Sequence, residues 1–136
     1  MRLEQEISQS LYRAIRDKYE AGQYRDAVLA ATQHLWDLLR SRTDFDRLTE
    51  SEIGPLKFIE QTLGSAAPKI PINAGQTLSE ISEQAGWTYL VMGIFQGVRV
   101  PRIHSEMDDS ETTANAIIVF IDYLASRIEP GTNAYR

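Results

Sequence analysis

Arg99, Arg102 and His104 fall within one short run, Gly97-Val98-Arg99-Val100-Pro101-Arg102-Ile103-His104-Ser105, and are the residues of this chain best suited to chemistry. A guanidinium grips phosphate oxygens through paired N–H donors, and an imidazole exchanges a proton near neutral pH. Two guanidinium groups beside one imidazole therefore suit a phosphate, and the start of the next helix adds a partial positive end to the same corner. Glu106, Asp108, Asp109 and Glu111 follow at once. Their charge opposes a long polyanion, so any phosphate recognition is local.

The remaining composition narrows the chemistry. There is no cysteine, which removes disulfides, thiolate metal sites and thiol nucleophiles and fits a reducing cytoplasm. A metal would have to rest on Glu106, Asp108 and Asp109 with His104, yet capping and helix-dipole roles account for those carboxylates, so no metal and no cofactor is expected. A net charge of −5 gives no general attraction to nucleic acid or anionic lipid. Arg13, Arg16 and Lys18 read as a solvated basic edge and His34 as a structural histidine. Trp36 and Trp87 read as core aromatics, with base stacking the alternative. The longest nearly uncharged apolar stretch, Ala85 to Phe95, is about half of the roughly 20 residues that cross a bilayer. No apolar signal core follows the N-terminus, so the expectation is a soluble, cytoplasmic protein without a membrane partner.

These residues need elements to position them. With 136 residues and 43% apolar content, the chain has the size and composition of one domain spanning 1–136. Leu3, Ile7, Leu11, Ile15 and Tyr19 recur at steps of four and predict one amphipathic helix ending near Ala21-Gly22. Tyr24, Ala27, Val28, Ala31, Leu35 and Leu38 predict a second, running to about Arg40 and pairing with the first as an αα-hairpin. Thr49 with Glu52 reads as a capping box for a short third helix, starting at Glu52 or Pro55 and stopped after Leu63 by Gly64. The stretch 64–81, with Pro68, Pro71 and Gly75, shows no period and forms either a packed covering loop, which is favoured, or a lid.

From Glu83 to about Val98 apolar residues stand on nearly every side, and Gly86, Gly93 and Gly97 line one face. Such a helix is buried all round or shared with a second subunit, and its glycines suit the close approach of another backbone, from this chain or from a second copy. Pro101 is expected to end this helix near Gly97 to Arg99. The last helix follows Asp108, Asp109 and Ser110 and runs to Ile128, ahead of Pro130-Gly131. No segment alternates as a strand does, so the fold class is all-α, a bundle of four main helices and one short one.

The run Glu83-Gln84-Ala85-Gly86-Trp87, then Gly93-Ile94-Phe95-Gln96-Gly97-Val98-Arg99, then Pro101 and His104, resembles the C-terminal domain of bacterial Ymh-type proteins, a branch of the HEPN superfamily. Tyr24-Arg25-Asp26-Ala27-Val28 fits the same pattern, and the resemblance extends over nearly the whole chain. It implies a HEPN-like helical bundle that dimerises so that two Arg/His corners face one another. It further implies a metal-independent endoribonuclease or toxin of a toxin–antitoxin or phage-defence system, with RNA as substrate and an antitoxin or a fused defence protein as a further partner. On that reading Arg99 and His104 are the catalytic pair and Arg102 contacts the substrate. His104 would trade protons with a ribose 2′-hydroxyl or a leaving 5′-oxygen while Arg99 holds the charge of the phosphorane. The family's motif has a polar residue after the Arg and a small one before the His, where this chain has Val100 and Ile103. Val100 cannot hydrogen-bond a phosphate, and the alternative is therefore a non-catalytic HEPN-fold module that binds RNA, a nucleotide or a protein partner.

Overall fold

The structure is a computed structural model that describes residues 2–43, 53–64 and 66–128. Among the described residues the regular structure is entirely helical. In chain order the elements are α1 (Leu3–Glu6), α2 (Gln9–Glu20), α3 (Tyr24–Ser41), α4 (Pro55–Leu63) and α5 (Leu78–Gly93). A π-helical turn (Ile94–Arg99) then leads directly into α6 (Val100–His104), and α7 (Glu111–Ile128) closes the bundle. Thr49, Glu52, Pro130 and Gly131, named above as helix boundaries, lie outside the described residues.

The apolar stripe predicted for the first helix is buried as expected, at Leu3, Ile7, Leu11 and Ile15, but the backbone carrying it is broken. Ile7 and Ser8 are extended, so α1 and α2 replace the single helix that the spacing predicts. The cause is Ser8: its hydroxyl accepts the Leu11 N–H at 3.3 Å and its own N–H donates to Asp122 Oδ1 on α7 at 3.1 Å. A serine that caps a new helix and docks on a distant carboxylate competes with continuing the old one.

The hairpin of α2 and α3 closes as the spacing predicts. Gly22 takes φ +75°, a left-handed conformation that glycine adopts without penalty. Its N–H bonds the Tyr19 carbonyl at 3.1 Å while the Gln23 N–H bonds the Lys18 carbonyl at 2.9 Å, which ends α2 in a Schellman motif. Helix α3 is the centre of the bundle, packing on α2, α7 and the π-helical turn. Ala27, Val28, Ala31, Leu35 and Leu39 bury its stripe.

Residues 66–77 form a packed cover, which is the favoured one of the two alternatives for this stretch. Ile70 and Ile72 are fully buried. The Gln84 side-chain amide holds the segment from below, donating to the Leu63 and Ile70 carbonyls at 2.9 and 3.1 Å and accepting the Ile72 N–H at 2.9 Å. Arg127 binds the Ile72 carbonyl at 3.1 Å and Glu83 at 3.1 Å, with its guanidinium over the Trp87 ring.

Two expectations for the following helix are corrected and one alternative is set aside. It starts at Leu78, earlier than Glu83, because Thr77 and Glu80 form a reciprocal capping box. Of the two alternatives given for it, burial all round is not what the single chain shows: Gln84, Trp87, Thr88 and Val91 face inward, whereas Tyr89 is 74% and Leu90 40% exposed. Nor does Pro101 end it. The Val100 N–H reaches back to the Phe95 carbonyl, and this wider turn places Pro101 in the first turn of α6, where its missing N–H is tolerated. Among the described residues Gly86, Gly93 and Gly97 do not sit against another backbone, since a Cβ on any of them would meet nothing within 4 Å.

Candidate functional site

Because the helix continues, the corner expected around Pro101 is a helical surface, and the three candidate residues go to different environments. Arg99, in the last position of the π-helical turn, is partly buried against α3. It donates to Thr32 Oγ1 at 2.7 Å, to Gln33 Oε1 at 3.1 Å and to the Leu29 carbonyl at 3.5 Å. All three acceptors are neutral. Gln33 is itself oriented by the bond from its amide nitrogen to Asp37 Oδ1 at 2.9 Å.

Arg102 turns the other way, into the protein. It is only 7% exposed and makes a two-pronged contact with Asp109, at 2.7 and 2.8 Å, while donating to the Val98 carbonyl at 3.1 Å. These bonds join α6 to the start of α7 and engage the Arg102 donors that a substrate contact would use. Asp109 is this arginine's partner. The cap of α7 is Ser110, whose hydroxyl accepts the Thr113 N–H at 3.1 Å.

His104 ends α6 and is exposed. Beyond it the backbone is folded back by Ser105, whose hydroxyl bonds the Pro101 carbonyl at 2.6 Å and whose carbonyl accepts from Arg25 at 3.3 Å. Arg99 and His104 thus share one helical run but not one cavity. Glu106 and Asp108 are exposed nearby, and among the described residues no group of three His, Asp or Glu side chains is placed to hold a metal ion.

Arg99 opens onto a cleft of about 490 Å³ between α3, α4 and the π-helical turn. Trp36, Leu56, Phe95, Val100 and Ile103 form its apolar walls. Sequence reasoning missed this cleft because its residues come from separate helices with no shared motif. Val100 and Ile103 were the visible signal, as large apolar residues beside an arginine, and they are 45% and 50% exposed. Trp36 belongs to the core side of the wall, its ring 4.9 Å from Phe58 and 5.3 Å from Phe95. Trp87 is likewise a core residue, against Tyr123 at 5.3 Å. Arg13, Arg16 and Lys18 are exposed, as a solvated edge should be.

Fold and site together define an α-helical bundle with one arginine set into an apolar cleft and one exposed histidine on the same helical run. The chain belongs to the Ymh family, described as "Protein of unknown function (Hypoth_ymh)", whose pattern matches residues 5–128. No curated protein and no solved structure matches the chain. Among the described residues no helix is long and apolar enough to cross a membrane.

Proposed function

We propose that this Ymh-family chain is a HEPN-like endoribonuclease or toxin of a bacterial defence or toxin–antitoxin system, working as a cytoplasmic homodimer. The observation that carries the reading is the placement of the two residues along one helical run, with Arg99 held by neutral acceptors and His104 open to solvent. His104 takes the proton of a ribose 2′-hydroxyl, the 2′-oxygen attacks phosphorus, and the bond to the 5′-oxygen breaks to leave a cyclic phosphate. The second protomer's histidine protonates that leaving oxygen, and Arg99 stabilises the phosphorane. The chain's own residues supply the acid, the base and the charge, so cleavage is expected to persist in EDTA.

One observation favours a second reading. Arg102 is spent on Asp109, and Val100 and Ile103 offer hydrocarbon where a substrate phosphate would need donors. A HEPN-fold module that binds RNA, a nucleotide or a protein partner without turnover fits that surface. Incubating purified chain with single-stranded RNA in EDTA separates the two. Loss of cleavage in Arg99→Ala and His104→Ala supports the ribonuclease, and binding without cleavage by the unaltered chain supports the module. Unchanged cleavage by His104→Ala removes the catalytic assignment.

A further inference from the structure

We propose that the cleft beside Arg99 binds a small organic anion with an apolar body, of the class of medium-chain or aromatic carboxylates. At about 490 Å³ the cleft lies within the usual size range of small-ligand sites, and like them it is mostly apolar with a few fixed polar groups. Among the described residues lining it, Arg99 carries the only charge. That charge is set in place before a ligand arrives, because Thr32, Gln33 and the Leu29 carbonyl hold the guanidinium from the α3 side. They engage three of its five N–H donors, so two remain for a ligand's carboxylate. An anion there pairs with a cation that has no carboxylate of the described residues on it, while the ligand's hydrocarbon covers Val100 and Ile103, which are half exposed.

The same inventory argues against a nucleobase. A base edge carries several donors and acceptors, and burying them without partners is costly. Beside Arg99 the cleft offers two amides, and that of Gln33 is already committed to Arg99 and Asp37. One amide, Gln96, cannot satisfy a base, but a carboxylate needs no more than the arginine. This inference does not depend on the ribonuclease reading. Where both hold, the ligand and an RNA phosphate compete for Arg99.

Calorimetric titration of the purified chain with octanoate, octanol, octylamine and uridine monophosphate tests the site. One octanoate per chain is expected to bind with sub-millimolar affinity, octanol about tenfold more weakly, and octylamine and the nucleotide without saturation. Arg99→Gln should weaken octanoate by about tenfold or more. Ile103→Asp, at an exposed wall position, should do the same with its helical circular dichroism unchanged, and it carries the test if Arg99→Gln fails to fold. No saturable octanoate binding, equal affinity for octanol, equal affinity for the nucleotide, or full octanoate affinity in Ile103→Asp would each overturn the proposal.

Discussion

Arg102 closes on Asp109 through two hydrogen bonds, Nη2 to Oδ1 at 2.7 Å and Nε to Oδ2 at 2.8 Å, with both side chains buried. A pair this short and this dry is costly to break from one side, since the remaining charge is left buried without a partner. Asp109→Ala is expected to destabilise the fold by about 3–5 kcal/mol in urea denaturation. The double variant Arg102→Met with Asp109→Leu should recover most of that loss, because it leaves no orphaned charge. A single-variant loss of well under 1 kcal/mol would show that the pair does not join α6 to α7 as the geometry indicates.

The helical stripes were legible because each is a local pattern of apolar side chains, and Leu11, Ile15, Val28, Leu35, Ile118 and Ile121 are buried where their spacing puts them. The candidate corner was only half legible. That Arg99 and His104 would be near one another follows from their spacing, but which way Arg102 turns depends on Asp109, which spacing alone marks equally well as a cap. The continuation past Pro101 was illegible for a related reason. A proline argues for a break, and spacing alone does not show the π-helical turn that absorbs it, which starts at the buried Ile94 and Phe95. Thr77 and Glu80, by contrast, were available to a reader of capping boxes and set the true start of α5.

Gln84 ties the covering segment to α5 through three hydrogen bonds, and no other side chain among the described residues bonds both the Leu63 and the Ile70 carbonyls. Gln84→Leu is close in volume but leaves those buried groups unsatisfied. A destabilisation of about 2–4 kcal/mol is expected, with faster hydrogen exchange at the Ile72 amide. Unchanged exchange at Ile72 would mean that the burial of Ile70 and Ile72 holds the segment unaided.

Tyr19 gives the fold an alkaline limit. Its hydroxyl donates to Asn115 Oδ1 at 2.6 Å and faces Glu111. Burial, followed by the Glu111 charge, raises its pKa above 10.0. A group whose folded-state pKa is raised contributes stability that is complete below its unfolded pKa and is lost as pH rises through the folded value. The loss therefore begins near pH 10.0 and grows above it. Tyr12 adds to the same slope, raised by burial and by its bond to Glu20. Unfolding free energies measured across that window should fall with pH, and less steeply for Tyr19→Phe. An identical slope in the variant would exclude Tyr19 as a source.

Gly93 separates packing within the chain from packing between copies. It lies in an open apolar groove between α5 and α7, beside Tyr89, Leu90, Ile117 and Phe120, and a Cβ placed on it would meet nothing within 4 Å. Glycine within a helix costs roughly 1 kcal/mol relative to alanine, so with no neighbour in the way Gly93→Ala should raise the stability of the chain by up to about that amount. A leucine at the same position would project its side chain into this open groove. If the homodimer proposed above uses this groove, the same leucine occupies the space into which the second copy's apolar side chains must fit, and an isologous contact meets each such change twice. Gly93→Leu is then expected to unfold at a midpoint no lower than that of the unaltered chain compared as a monomer, since leucine also favours the helix over glycine, and to sediment as a monomer at concentrations where the unaltered chain is a dimer. Tyr89→Lys, at an exposed position on the same groove, should act in the same direction by burying a charge in the contact. A monomeric unaltered chain at micromolar concentration would end the homodimer reading, and a dimer indifferent to both substitutions would move the contact away from this groove.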